Sequence, residues 1–118
     1  MTDTNIIDRM YTGLVSGDVE AARDCYTPDA VIWHGFDRIT MTRDAAAESW
    51  TAMCAQFPER RLSDVRRQPT PTGFVQQHVW QMLTKEGKWM NWPVCLVVEV
   101  RDGLMIRLDE YLDRAAWY

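Results

Sequence analysis

The chain has 118 residues, of which 47% are hydrophobic and 25% charged, and its formal net charge is -4. This length suits a single domain over residues 1–118 that buries a core without disulfides or metals. The negative net charge argues against nucleic acid as a partner. A membrane span needs roughly 20 consecutive apolar residues, and no run in the sequence approaches that length, which argues against insertion into a membrane.

The predicted elements run from helices to strands. Apolar residues recur at helical spacing up to residues 16–17, where a glycine ends the first helix. Pro28 lies in a predicted turn over residues 26–29, because proline cannot continue a helix. Further helices are predicted over residues 19–25 and 43–57. Strands are predicted over residues 30–34, 36–41, 62–68, 74–84, 88–101 and 104–113. This order favours an α+β fold with the helices on one face of a mainly antiparallel sheet.

The two longest strands form a predicted hairpin with a two-residue turn at Glu86 and Gly87. In that register, the face toward the helices carries Gln77, Val79, Gln81, Leu83, Met90, Trp92, Val94, Leu96, Val98 and Val100. The opposite face carries His78, Trp80, Met82, Pro93 and Val97. The second set would leave a large apolar surface on a monomer, so we expect a homodimer that packs through it.

The last predicted strand places a carboxylate among apolar residues. Side chains alternate along a strand, so Ile106, Leu108, Glu110 and Leu112 share one face. Three of these four are apolar, which predicts that the face is buried and Glu110 with it. Burying a carboxylate costs free energy unless the group is hydrogen-bonded or its pKa is raised. The predicted burial of Glu110 is therefore the strongest indication of a functional site in the sequence.

Several segments resemble the nuclear transport factor 2-like superfamily, which includes ketosteroid isomerases, limonene-epoxide hydrolases and SnoaL-like polyketide cyclases. The resembling segments are residues 17–22 (GDVEAA), 26–31 (YTPDAV), 102–104 (DGL) and 110–113 (EYLD). The resemblance implies a cone-shaped, cystatin-like barrel, in which a curved mixed sheet wraps around three N-terminal helices and leaves a central pocket. The superfamily contains enzymes and non-enzymes, so it fixes the fold better than the activity.

The resemblance also implies two catalytic residues in that pocket. His34 matches the aspartate base of ketosteroid isomerases and a water-orienting asparagine of limonene-epoxide hydrolases. Glu110 matches an aspartate with which those hydrolases act on the same water. His34 and Glu110 are therefore expected to face each other across the pocket, where a histidine and a carboxyl group can act as a general acid and base.

Other positions depart from the two best-known reactions of the superfamily. Gln77 and Val79 stand at the predicted inward positions where limonene-epoxide hydrolases carry an arginine and an aspartate. Leu96 stands near the oxyanion-hole aspartic acid of ketosteroid isomerases, and Tyr11 matches their tyrosine only with a one-residue gap. Neither reaction is therefore predicted in its usual form.

Three functions remain open on the sequence. One is a cofactor-independent isomerase, cyclase or dehydratase that moves protons on a small hydrophobic carbonyl compound, with His34 as the base and Glu110 as its partner or the acid. Another is a module that binds a small hydrophobic ligand or acts as a scaffold, and a third is an epoxide hydrolase with a rebuilt site. The predicted substrate-binding residues are Tyr11, Trp50, Gln77, Val79, Gln81, Trp92, Val94, Leu108 and Leu112.

The remaining residue types indicate no metal, cofactor or secretion. No helix carries acidic or histidine residues at metal-ligand spacing, and no glycine-rich phosphate loop is present. The cysteines, Cys25, Cys54 and Cys95, are odd in number and widely spaced, which favours a reducing compartment. Residues 1–5 lack the pattern of a secretory leader, so we expect a cytoplasmic protein. The arginine doublets at 60–61 and 66–67 are expected on the solvated surface.

Overall fold

The computed structural model describes residues 6–113, and its elements follow one another in the predicted order. The helices are α1 (Ile6–Ser16), α2 (Val19–Arg23) and α3 (Arg43–Gln56). The strands are β1 (Tyr26–His34), β2 (Ile39–Met41), β3 (Glu59–Pro69), β4 (Gly73–Leu83), β5 (Trp89–Arg101) and β6 (Leu104–Leu112). Residues 1–5 and 114–118 of the predicted domain lie outside the described residues.

One six-stranded sheet has the order β2-β1-β6-β5-β4-β3. β1 and β6 pair in parallel, and every other neighbouring pair is antiparallel. The inner face of this curved sheet packs against the helices, where Ile7 of α1 meets fully buried sheet residues such as Phe74 and Leu96. The predicted α+β fold, with a mainly antiparallel sheet and three helices, is confirmed.

A buried arginine ties the helices to the edge of the sheet. Arg60 of β3 is only 7% exposed, and its guanidinium donates to the carbonyl oxygens of Leu14 (2.7 Å), Val15 (3.1 Å) and Phe57 (2.7 Å). These carbonyls lie at the C-terminal ends of α1 and α3, where the helix dipole attracts a cation. The expectation that both residues of this doublet lie on the surface is therefore wrong for Arg60, because carbonyls of the folded chain satisfy its charge.

β1 begins four residues earlier than predicted and runs through Pro28. The predicted turn over residues 26–29 is wrong. The β1–β6 pairing shifts register between Tyr26 and Val31, so Pro28 lies in the irregular part of the strand. A residue without an N–H is tolerated there because no ladder hydrogen bond is required of it.

The hairpin register also differs from the prediction. Leu83 pairs with Trp89, and the backbone N–H of Thr84 donates to the carbonyl of Lys88 (2.8 Å), so five residues connect the strands instead of two. A shift of one residue moves every side chain of a strand to the other face. The predicted face is correct for β5 and wrong for β4. The inward residues of β4 are Phe74, Gln76, His78, Trp80 and Met82.

This reversal changes the predicted dimer surface. His78, Trp80 and Met82 are buried and belong to the inner face. Pro93 and Val97 remain on the outer face, where Val97 is 39% exposed. The composition predicted for this surface is therefore wrong for its three β4 residues, and the homodimer itself stays a prediction.

Candidate active site

A cavity of about 410 Å³ lies between the helices and the inner face of the sheet. Its walls come from α1, α3, all strands except β3, and the segment after β1. Seven of the predicted site residues line it: Tyr11, His34, Trp50, Trp92, Leu108, Glu110 and Leu112. Aromatic and aliphatic side chains form most of the lining, which suits a ligand with a large apolar surface.

His34 and Glu110 lie side by side on one wall of this cavity. They are register partners in the parallel pair of β1 and β6, and His34 Nε2 lies 3.7 Å from Glu110 Oε1. Their side chains are 16% and 21% exposed, so both groups can contact a ligand in the cavity while remaining largely shielded from solvent. The expectation that they face each other across the pocket is wrong, because neighbouring strands carry them.

The segment that follows β1 holds His34 and Glu110 together. The N–H of Gly35 donates to the carbonyl oxygen of Glu110 at 2.7 Å. A Cβ at Gly35 would lie 3.1 Å from the Tyr111 ring and 3.3 Å from that carbonyl oxygen, so a larger residue would push the strands apart. The ring of Phe36 stacks on His34, with 4.9 Å between centroids and 16° between planes. The imidazole is thus held beside the carboxyl group.

Glu110 is the most perturbed acid of the site. Burial raises the pKa of its carboxyl group to about 7, and the negative charge of Asp37 adds to this rise. A carboxyl group with such a pKa is present in both protonation states near neutral pH. Glu110 can therefore donate a proton or accept one, which few glutamates do at that pH.

Two buried phenols, Tyr11 and Tyr26, also line the cavity. Burial, followed by the charge of Glu110, raises the pKa of Tyr11 and of Tyr26 well above the usual value. Both are therefore neutral at physiological pH. The Tyr26 hydroxyl lies 3.0 Å from Met10 Sδ. Tyr11 lines the cavity as predicted, where its ring packs 5.4 Å from that of Trp80.

The sequence of residues 7–108 matches the model of the SnoaL-like domain. The chain belongs to the SnoaL-like domain family. No curated protein matches the sequence. The match, together with the solved structures described next, confirms the resemblance to the nuclear transport factor 2-like superfamily.

Solved structures of distant relatives share the fold of this SnoaL-like domain. IdmH from Streptomyces antibioticus, described as a candidate polyketide cyclase, is 20% identical, with a TM-score of 0.84 over 96% of this chain and 93% of that one. An LEH-like epoxide hydrolase from M. tuberculosis is 18% identical, with a TM-score of 0.78 over 93% of this chain and 81% of that one. A hypothetical protein with a ketosteroid isomerase-like fold from Catenulispora acidiphila, in complex with trimethylamine, is 12% identical, with a TM-score of 0.81 over 93% of this chain and 86% of that one. At these identities the likeness concerns the fold alone.

Four predicted substrate-binding residues of the SnoaL-like domain do not line the cavity. Gln77, Val79 and Gln81 lie on the outer face of β4, where Gln81 donates to the Asn91 side chain at 2.7 Å. Their predicted place is wrong because the hairpin loop is longer than expected. Val94 is buried at 5% exposure on the inner face, as predicted, but lies in the core beside the cavity.

Because the two faces of β4 are reversed relative to the prediction, several residues predicted on the outer face lie on the inner face. Trp80 and Met82 line the cavity of the SnoaL-like domain. His78 is 3% exposed, and its Nδ1 lies 3.1 Å from the Gln76 amide nitrogen. The signal that could have located them is the run of large apolar residues at alternate positions of β4 around His78, compared with the smaller and more polar set around Val79.

Among the cysteines, the effect of burial on the Cys25 thiol outweighs the nearby charge of Arg9. Burial raises the pKa of the Cys25 thiol, which disfavours the reactive thiolate. Cys54 and Cys95 are free and half-buried. Between residues 6 and 113, no three histidine, cysteine or acidic side chains cluster as metal ligands would. No helix in that range is long and apolar enough to cross a membrane. The absence of a metal or cofactor and the cytoplasmic location stay predictions.

Proposed function

We propose that this SnoaL-like domain is a small enzyme that transfers protons on a hydrophobic carbonyl compound without a cofactor. The observation that carries the proposal is the Glu110 carboxyl group, whose pKa is about 7 and which lies 3.7 Å from His34 in an apolar cavity. Catalysis by a general acid and base is most effective when the pKa of the group lies near the working pH.

In the proposed reaction, the substrate carbonyl lies against the wall that His34 and Glu110 share. Neutral His34 removes a proton from the carbon next to the carbonyl group, while protonated Glu110 gives its proton to the carbonyl oxygen. The products of this step are an enol, an imidazolium and a carboxylate, and the last two stabilise each other. Return of a proton to a different carbon isomerises the substrate, and attack of the enol on a second carbonyl carbon closes a ring.

The remaining lining residues would orient the substrate. The Tyr11 phenol is neutral and can donate a hydrogen bond to a substrate oxygen. Trp50 and Trp92 offer flat apolar surfaces. The candidate polyketide cyclases among the structural neighbours agree with cyclisation of a carbonyl compound, although a shared fold is an analogy and does not assign a reaction.

Deuterium exchange tests the proposal without knowledge of the natural substrate. A panel of small hydrophobic ketones is incubated in deuterated water, and uptake of deuterium next to the carbonyl is followed by NMR. We expect the wild-type protein to accelerate exchange of at least one ketone. Glu110→Gln and His34→Ala should each reduce that acceleration by ~10²–10⁴-fold, the usual contribution of general acid–base catalysis.

Asp109→Asn is the matched control, because Asp109 lies next to Glu110 in sequence but pairs with Arg107 on the outer face (3.1 Å). It should retain wild-type exchange. Equal exchange rates in Glu110→Gln and wild type would contradict the proposal. If no ketone exchanges, but a ligand that copurifies with the protein is found by mass spectrometry, the non-catalytic binding function is supported instead.

A further inference from the structure

The cavity carries negative charges without positive counterparts among the described residues. Among residues 6–113, the only acidic side chains that line it are Asp37 and Glu110, and no lysine or arginine does so. The nearest basic residue in sequence, Arg38, is exposed and does not belong to the lining. When Glu110 is ionised, a ligand that enters this cavity therefore meets negative charge that no lysine or arginine of the described lining offsets.

The walls of the cavity are unusually aromatic. Trp80 and Trp92 are register partners on β4 and β5 and lie side by side on the inner face. Another wall contains Tyr26 and Trp50, whose rings lie 6.1 Å apart. The faces of aromatic rings attract cations, and tryptophan does so most strongly. Such walls bind an organic cation better than a neutral group of the same shape.

The groups around Glu110 explain why a cation would be accepted. His34 faces it from β1, Asp37 from the segment after β1, and Tyr11 and Tyr26 from α1 and the start of β1. Of these neighbours, only His34 can become positive, and only when protonated. A proton or a bound cation can each offset the negative charge in this cavity, so the two should compete.

We propose that the cavity selects carbonyl compounds that also carry an ammonium group, with the cation between the tryptophan faces and Glu110. This inference rests on the proposed function for the choice of a carbonyl compound, whereas the selection of a cation does not require turnover. A bound cation would hold Glu110 ionised, because the charged carboxylate interacts with it most favourably. For such substrates Glu110 would be the carboxylate partner that orients His34, the base, in place of the acid of the proposed reaction. The neutral Tyr11 phenol would then donate the hydrogen bond to the carbonyl oxygen.

Two probes of the same shape and different charge test this selection. Choline carries a quaternary ammonium group, and 3,3-dimethylbutan-1-ol has a carbon atom in place of the nitrogen. Binding of each is measured by calorimetry at about pH 8.5, where Glu110 is ionised. We expect choline to bind at least about tenfold more tightly than the alcohol, since aromatic faces and a carboxylate both favour the charge.

Lower pH and two variants identify the origin of the preference. At about pH 5.5, where Glu110 is protonated, choline should lose about tenfold in affinity while the alcohol is unchanged. Glu110→Gln should reduce the preference to less than about threefold and remove most of its pH dependence. Trp50→Leu should weaken choline more than the alcohol, whereas Trp89→Leu, which removes a ring that lies outside the cavity under Arg61, should change neither.

The two proposals can fail separately. Equal binding of choline and the alcohol, or a preference for choline that survives in Glu110→Gln, overturns the cation inference even if ketones still exchange deuterium. A clear preference for choline, with no exchange either of the neutral ketones or of a ketone of similar size that carries an ammonium group, supports the cation inference and contradicts the proposed reaction. Asp109→Asn should behave as wild type in both assays, and a loss of preference in that variant would also overturn the cation inference by placing its origin outside the cavity.

Discussion

Two histidines lie on the inner face of the same sheet, yet their surroundings differ. His34 lies on a cavity wall beside a carboxyl group that titrates near neutral pH. His78 lies inside the protein with 3% exposure, and burial lowers the pKa of its imidazole to about 4. One histidine can exchange protons with a ligand, and the other is kept neutral.

The difference arises from what each histidine contacts. Arg67 donates from Nε to the Gln76 amide oxygen (2.8 Å) and also pairs with Asp8 on α1. The Gln76 amide nitrogen is then left to donate to Nδ1 of His78, so the neutral imidazole carries its proton on Nε2. We call these residues the Gln76 network (Asp8, Arg67, Gln76 and His78), in which Gln76 and His78 are buried and Asp8 is exposed. It stabilises the fold, while the pair of His34 and Glu110 faces a cavity and is available for chemistry.

The largest effect on stability is expected from removing the centre of the Gln76 network. Gln76→Leu would leave the Arg67 Nε–H and His78 Nδ1 without their partner inside the protein. We expect the free energy of unfolding to fall by about 2–3 kcal/mol, as is typical when buried polar groups lose their hydrogen bonds. Urea denaturation measures this. The matched control is Gln77→Leu on the exposed outer face, which should stay within about 0.5 kcal/mol of wild type. Equal stability of the two variants would contradict a structural role for the network.

The two regions should have opposite effects on stability as the pH changes. The pKa of His78 is lowered from 6.5 to about 4, so its contribution is complete above pH 6.5 and is lost as the pH falls through that range. The pKa of Glu110 is raised from 4.5 to about 7, so its contribution is complete below pH 4.5 and is lost as the pH rises. In the wild-type protein the two contributions partly cancel.

Single substitutions should separate these contributions. Glu110→Gln should make stability rise more steeply with pH between about 4 and 6.5 than in wild type, because only the His78 contribution remains. His78→Asn, which keeps an acceptor near the position of Nδ1, should make stability fall between about 4.5 and 7 relative to wild type. Each change in slope is at most about 1.4 kcal/mol per pH unit. If the slope of stability against pH changes in the same direction in both variants, the opposite contributions assigned to His78 and Glu110 are wrong.

The smallest effect is expected at the exposed end of the network. The Asp8 side chain is 55% exposed where it pairs with Arg67. Asp8→Asn should cost less than about 1 kcal/mol, and the loss should shrink further at high salt, because solvent screens such pairs. Denaturation at low and high salt measures it. A loss as large as that of Gln76→Leu would show that the ion pair, and not the buried amide, holds the network together.

The fold could largely be predicted from local patterns. Helical spacing in α1, the capping residue Thr42 before α3 and the strict alternation of β5 each depend on neighbouring residues. The alternation of β6 also placed Glu110 correctly, since Leu108 and Leu112 line the cavity with it. The sequence is therefore sufficient to identify Glu110 as the acidic residue of β6 that points inward.

Features that depend on long-range contacts could not be read in the same way. The faces of β4 depend on the length of the hairpin loop, where the Thr84 hydroxyl accepts from the N–H of Lys88 (3.0 Å). Both faces of β4 carry apolar side chains, so alternation by itself did not show which face is inward, and only the larger size of Trp80 and Met82 pointed to the face of His78. The burial of Arg60 depends on carbonyls of α1 that come together with it only in the folded protein.

The central claim is that Glu110 titrates near neutral pH beside His34, and a carbon-13 NMR titration of the glutamate carboxyl groups tests it most directly. The Glu110 signal is assigned by its absence in the Glu110→Gln variant. We expect a midpoint near pH 7, well above the ordinary glutamate value of 4.5. A midpoint close to 4.5 would contradict the account, since Glu110 would then be an ordinary carboxylate at neutral pH.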